Sequence, residues 1–147
     1  EGHYQAASLD EDVQNLQHKI DNGVTHLVSQ LFFDNQAFYR FRDLATARGI
    51  SVPIVAGIMP ITSQRQIERT VALSGAKVPE KLSRLFAKYA NKPEALRDAG
   101  IFYAIEQIMD LIDNDIRGIH LYTMNNVDTA YRVSEAIQNV LMAENMP

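Results

Sequence analysis

Val24-Thr25-His26-Leu27-Val28-Ser29-Gln30-Leu31-Phe32-Phe33-Asp34 is the stretch on which the fold turns. Val24 to Leu31 is rich in apolar and β-branched residues, which predicts a short strand buried on one or both faces. Asp34 then offers a side-chain acceptor for the free N–H groups at the start of a helix. In that helix Phe38, Phe41, Leu44 and Ala45 make one apolar face, and Gly49 closes it. Upstream, Ser8 and Glu11 have the spacing of a capping box. Val13, Leu16 and Ile20 follow at helical intervals until Gly23 supplies a left-handed exit. Strand and helix therefore alternate across this region.

The alternation continues outward. Val52 to Met59 predicts a second strand, and Pro60 with Thr62-Ser63 punctuates the turn into a helix bearing Ile67, Val71 and Leu73, ended by Gly75. Pro79 and Pro93 stand where first helical turns begin, so two more helices interrupt the rhythm. The second carries Ile101, Ala104, Ile105, Ile108 and Ile112. Ile116 to Tyr122 restores a strand, and Val127 to about Leu141 predicts a closing helix with Val133, Ile137 and Val140 on one side. Strands joined through amphipathic helices pair in parallel, with the helices covering the sheet. The class is α/β, with about three strands, whereas a closed (β/α)8 TIM barrel takes about 250 residues. The expectation is a C-terminal partial barrel, residues 1–147 forming part of a single domain. The start at Glu1-Gly2-His3, without Met, fits a cut inside a longer protein.

With 147 residues, 46% of them hydrophobic, the chain has enough apolar material for one ordinary core. Eighteen acidic residues against fourteen basic ones give no general attraction for phosphate backbones or anionic lipid, so nucleic acid and membrane are not expected partners. Apolar runs of a few residues fall short of the roughly 20 that span a bilayer, and a cytoplasmic location is the default expectation. The absence of cysteine removes disulfides, thiolate nucleophiles and thiolate metal ligands. The four histidines show no metal-binding spacing, so no metal is expected. His26 and His120, each inside a predicted strand, read as packed, hydrogen-bonded histidines.

In a barrel, chemistry gathers at the C-terminal ends of the strands. Here those ends are Gln30-Leu31-Phe32-Phe33-Asp34, Gly57-Ile58-Met59-Pro60 and His120-Leu121-Tyr122-Thr123. The amide of Gln30 is costly to bury without a partner; that partner is either a ligand with a complementary edge or neighbouring backbone. Phe32 and Phe33 read as core, and Asp34 as a cap first. Gly57 lets backbone approach closely, and Pro60 fixes the loop after it. Asp12, Asn15 and Lys19 share one stripe of their helix, with His18 beside it. Such a stripe is either a solvated face or an edge meeting a sugar-phosphate ligand. There is no Gly-x-Ser-x-Gly elbow, no Gly-rich phosphate loop, and no strand lysine of the kind a Schiff-base aldolase needs.

Taken in order, Glu1-x-His3, the Asp12 to Lys19 helix, Asp21-x-Gly23, Ser29-Gln30-Leu31-Phe32-Phe33-Asp34, Pro53-Ile54-Val55-x-Gly57-Ile58-Met59-Pro60, Val78-Pro79, Gly100 to Glu106 and Gly118-Ile119-His120-Leu121-Tyr122-Thr123-Met124-Asn125 resemble the methylenetetrahydrofolate reductases. The resemblance implies a flavoprotein barrel in which FAD, reduced by NADH or NADPH, passes a hydride to methylenetetrahydrofolate, an oxidoreductase reaction of one-carbon metabolism that feeds methionine biosynthesis. By position it implies that His3, Ala6, Asp12, Asn15, His18 and Lys19 line the FAD, and that Gln30, Gln66 and Asn126 meet the folate. His18 stands where relatives can carry arginine, Thr70 where some have phenylalanine, and Asn126 where an arginine often meets the folate tail. The glutamate acid and an aspartate near the flavin belong to the N-terminal half, so no catalytic residue is expected in this chain. Expected partners are the folate, the nicotinamide nucleotide, the N-terminal barrel half and further copies in a homo-oligomer. A non-catalytic partial-barrel assembly module is the alternative, with an unrelated barrel lyase or aldolase behind it.

Overall fold

A computed structural model describes residues 9–144. The elements run α1 (Leu9–Asp21), β1 (Leu27–Val28), α2 (Asn35–Ala47), β2 (Ile54–Ile58), α3 (Gln64–Ser74), α4 (Glu80–Tyr89), α5 (Pro93–Asp113), β3 (Ile119–Leu121) and α6 (Val127–Glu144). The three strands form one sheet in the order β1-β2-β3, parallel throughout. Leu27 lies opposite Ile54, and Gly57 opposite His120. This is the expected α/β class and strand count, compatible with part of a TIM barrel.

The caps act as their chemistry dictates. Asp34 accepts from the Gln36 N–H at the start of α2, and Ser63 from the Gln66 N–H at the start of α3. Gly75 ends α3 in the left-handed region, at φ 66°. Pro93 occupies the first turn of α5, whereas Pro79 sits one place outside α4, as its N-cap.

Period-two alternation splits the sheet into two faces. Leu27, Ile54, Ala56, Ile58, Ile119 and Leu121 point to the helices and join Val13, Phe38, Ile101, Ala104, Ile108, Leu111, Val133 and Ile137 in the main core. Within it the rings of Phe32 and Phe38 stack at 5.0 Å. A second core at the C-terminal ends of the strands gathers Phe33, Met59, Ile61, Ile67, Leu82, Phe86 and Leu96. Helix α5 serves both cores and packs against α2, α4 and α6. Its apolar residues accordingly lie on several sides rather than along one stripe.

Three expectations change. The first strand is Leu27–Val28 rather than Val24 to Leu31, because the ladder to β2 closes at Ser29. His26 and His120 are exposed rather than packed: both alternate onto the face of the sheet that turns away from the main core. His120 instead meets the Tyr122 ring edge-on at 4.5 Å, and Val28 on the same face is 44% exposed. Leu73 is 70% exposed, since Ile67 and Val71 already carry the contact of α3 with the second core. Ser8, the proposed cap of α1, lies outside the described residues.

Candidate functional site

Parallel strands deliver their C-terminal ends to one rim, the usual seat of ligands in α/β folds. At this rim β1 parts from β2 at Ser29. The Ser29 N–H donates to the Val55 carbonyl at 2.9 Å, but the next ladder bond is replaced: the Gly57 N–H donates to the Ser29 hydroxyl, also at 2.9 Å. The displaced Ser29 carbonyl lies over Gly57 and accepts from the Tyr122 hydroxyl at 3.4 Å. A Cβ on Gly57 would stand 2.4 Å from that carbonyl oxygen and 2.8 Å from the Tyr122 ring. The close approach expected of Gly57 is thus to Ser29.

The folate candidates differ in what they have left to offer. Gln30 is exposed, and its Oε1 accepts from the Leu31 N–H at 3.2 Å, so the backbone bond anticipated as one alternative is made. Its Nε2 donates to no described residue. Gln66 is more fully engaged. Its Oε1 accepts from the Thr62 N–H at 2.8 Å and the Thr62 hydroxyl at 3.0 Å, and its Nε2 donates to the Pro60 carbonyl at 3.2 Å. It therefore latches the β2–α3 loop, keeping one N–H for anything else. One turn further along α3, Thr70 is buried.

Asn126 is exposed, and its Oδ1 accepts from the Thr129 N–H at 3.0 Å while its carbonyl accepts from the Ala130 N–H, the geometry of a helix cap at the start of α6. Asn126→Ala is expected to lower stability by about 1 kcal/mol. A chemical-denaturation midpoint measures it, and an unchanged midpoint would mean the cap contributes nothing.

Of the FAD candidates, His3 and Ala6 lie outside the described residues. Asp12, Asn15 and Lys19 share a stripe of α1 beside the buried Val13 edge, with Asp12 half-buried and the other two exposed; His18, also exposed, turns away from it. His18 and Lys19 both fall in the last turn of α1, where cations also favour the helix dipole. The Val24 N–H bonds the Lys19 carbonyl, so the end of α1 sits beside the start of the β1 segment. Gln30 comes six residues later, roughly 20 Å of extended chain.

What the sequence did not announce is a row on α5. Gly100, Tyr103, Gln107 and Asp110 recur at helical spacing along one side and hold the loops after β1 and β2. Gly100 packs so tightly on the β2–α3 loop that a Cβ there would fall 1.6 Å from the Ile61 carbonyl oxygen. The Tyr103 hydroxyl donates to the Phe33 carbonyl at 2.7 Å, and the buried Gln107 Nε2 to the Phe32 carbonyl at 3.0 Å. Asp110 accepts from Asn35 Nδ2 at 2.6 Å and from the Tyr39 hydroxyl at 2.7 Å, while Asn35 also donates to the Gln107 carbonyl at 2.9 Å.

Burial, with the charges of Asp34 and Glu106 behind it, pushes the Tyr103 phenol up to about 12. Burial and the bond to Asp110 raise that of Tyr39. The bonds from Asn35 and Tyr39 hold the Asp110 carboxyl below its usual range. Both tyrosines are therefore donors at any physiological pH. The one sequence signal for this row was the placing of Tyr103, Gln107 and Asp110 at i, i+4 and i+7 beside the apolar Ile101, Ala104, Ile108 and Leu111 of the same helix.

Among the described residues no group of three or more histidine, aspartate or glutamate side chains is placed to hold a metal ion, and no helix is long and apolar enough to cross a membrane. A family model described as Methylenetetrahydrofolate reductase matches residues 1–138. The chain belongs to the methylenetetrahydrofolate reductase family. A 5,10-methylenetetrahydrofolate reductase of Pectobacterium carotovorum is 32% identical over 137 residues, covering 93% of this chain and 46% of that protein. Methylenetetrahydrofolate reductase 1 of Schizosaccharomyces pombe is 33% identical over 85% of the chain, and methylenetetrahydrofolate reductase (NADH) 1 of Arabidopsis thaliana 33% identical over 80% of it. The chain thus spans less than half the length of these methylenetetrahydrofolate reductases.

Proposed function

We propose that residues 1–147 are the C-terminal part of the single catalytic TIM-barrel domain of a flavin-dependent methylenetetrahydrofolate reductase. The parent protein reduces methylenetetrahydrofolate to methyltetrahydrofolate with NADH or NADPH, in cytoplasmic one-carbon metabolism and methionine biosynthesis. The observation that carries the reading is the family match over residues 1–138, which takes in all three strand ends at the rim. When bound, FAD supplies a two-electron carrier between nicotinamide and folate.

The donor set on α1 fits such a dinucleotide. The Asp12 carboxylate suits sugar or ribityl hydroxyls, the Asn15 amide suits either donors or acceptors, and the exposed Lys19 ammonium suits a phosphate or an anionic ring. His3, Ala6 and His18 complete the proposed set. At the rim, Gln30 keeps its Nε2 for the acceptors of a pterin edge, while Gln66 keeps the β2–α3 loop in shape and offers its last N–H. Asn126, with Oδ1 committed to its cap, offers the donors of its Nδ2, which suit the carboxylates of a folate tail.

The acid that assists opening of the methylene bridge is assigned to the N-terminal half, so the 147 residues alone are expected to be inactive. Holding two reactants face to face requires both walls of a site, and losing one forfeits orientation together with the proton donor. The test compares the purified 147-residue chain with its full-length parent for methyltetrahydrofolate formation from NADH or NADPH. Turnover by the parent alone is expected. Turnover by the short chain would overturn the division of roles, and an inactive, flavin-loaded parent would overturn the reductase reading.

One observation favours a second reading, a non-catalytic partial barrel that pairs with another chain: Val28 and His120 leave the second face of the sheet open. Size-exclusion chromatography separates the two readings, because a well-behaved monomer would argue against assembly through that face.

A further inference from the structure

We infer that Gln107 and Tyr103 of α5 are positioning residues for the folate, acting through Gln30; the inference rests on the proposed reductase function and goes beyond it. The chain of contacts is short. Gln107 Nε2 and the Tyr103 hydroxyl, one helical turn apart, donate to the carbonyls of two consecutive residues, Phe32 and Phe33. A single hydrogen bond lets a loop swivel about it, whereas two bonds to adjacent peptides from one rigid helix fix both the height and the rotation of that backbone. The ring of Phe32 is anchored in the main core and that of Phe33 in the second core, which pins the same two residues from their side-chain ends. Two peptides back from the Phe32 carbonyl, the Leu31 N–H holds Gln30 Oε1 at 3.2 Å. The direction in which Gln30 presents its remaining donor is therefore set from α5.

The same helix sets the other folate loop. Ile61, whose carbonyl is seated against Gly100, lies between Pro60 and Thr62, the two residues that Gln66 grips. Gly100, Tyr103 and Gln107 thus fix the two proposed folate-binding loops relative to one another. Volume alone does not account for Gln107. It is a buried amide in a helix otherwise filled by Ile101, Ala104, Ile108 and Leu111, where an aliphatic side chain would pack as well without the cost of desolvating an amide. Its bond to a carbonyl outside any strand or helix is what distinguishes it.

The experiment uses the full-length, flavin-loaded parent with Gln107→Met, which keeps length and loses the donor, Gln107→Glu, which turns an acceptor toward the Phe32 carbonyl, and Tyr103→Phe. Flavin content, bleaching of the bound flavin by NADH or NADPH, and the kcat and KM for methylenetetrahydrofolate are measured on each. Gln107→Met is expected to raise the folate KM about tenfold while flavin content and nicotinamide-driven bleaching stay within about twofold of the parent. Gln107→Glu is expected to do more and Tyr103→Phe less, in the same parameter. An unchanged folate KM in both Gln107→Met and Tyr103→Phe would overturn the inference, as would a parallel fall of flavin content, bleaching and folate turnover, the pattern of a purely structural role. If Gln107→Met does not fold, Tyr103→Phe decides by the same criteria. Failure of the unsubstituted parent to oxidise NADH or NADPH with methylenetetrahydrofolate marks failure of the functional reading instead.

Discussion

Gly100→Ala is expected to cost about 3 kcal/mol or more and to leave little folded protein at 37 °C. The added methyl would stand 1.6 Å from the Ile61 carbonyl oxygen and 2.8 Å from its carbon. Overpacking is tolerable when a flexible side chain can swing away, but here the obstacle is backbone. That backbone is held on both flanks, by the Gln66 latch on Pro60 and Thr62 and by the burial of Ile61 in the second core. Helix α5 cannot retreat either. It is 21 residues long and shared between both cores, so moving it away from Ile61 would open voids around Leu96, Ile101, Ala104 and Ile108. Thermal and denaturant unfolding of the purified variant measures the loss. A midpoint equal to the parent's would mean that the loop yields, and with it the claim that α5 fixes the loop after β2.

Gly57→Ala is expected to act on activity more than on stability. Its Cβ would come 2.4 Å from the Ser29 carbonyl oxygen and 2.8 Å from the Tyr122 ring, both at the rim rather than in the main core. Tyr122 can rotate aside, but Ser29 is backbone and must move. Its movement breaks the bond from the Gly57 N–H to the Ser29 hydroxyl and shifts Gln30, the next residue along. A displacement of about 1 Å at a binding group can lower turnover on the order of 100-fold, whereas overpacking of this kind costs about 1–3 kcal/mol. The expected result is a full-length enzyme that folds, carries flavin and turns over folate about 100-fold more slowly. Near-normal kcat/KM would show that Ser29 relaxes without carrying Gln30 with it.

The parts of the fold that were legible in the sequence are those decided by neighbours along the chain. Asp34 and Ser63 cap helices because an acceptor two or three residues before a free N–H can reach it in only one way. Gly23, Gly49 and Gly75 all stand at positive φ, as helix exits require. The three strands, six helices and parallel pairing of the described residues follow from the order of such local signals. The overestimate of β1 has the opposite origin. Val24 to Leu31 has the composition of a longer strand, yet where pairing stops depends on Ser29 parting from β2, a contact between residues 28 positions apart. His26 and His120 failed for a related reason. Alternation tells that they share a face with Val28, but not whether anything covers that face.

At the candidate site, sequence supplied residue types and the resemblance supplied positions, while the partnerships came from the fold. Gln30 and Gln66 are both glutamines at the rim, Gln30 just after a strand and Gln66 in the first turn of a helix, three residues after its cap Ser63. Folding leaves Gln30 Nε2 without a partner among the described residues and commits most of Gln66 to its own loop. The row on α5 was hidden because Tyr103, Gln107 and Asp110 act on residues about 70 positions earlier.

By itself, then, the sequence determined the order and kind of the elements, the parallel sheet and the family, since these depend on periodicity, capping chemistry and matched motifs. Only the tertiary structure decided that Ser29 leaves the ladder over Gly57 and that α5 grips the loops after β1 and β2. Both are contacts between distant segments, and their geometry is fixed by the packing of two cores around one helix rather than by anything written within a few residues.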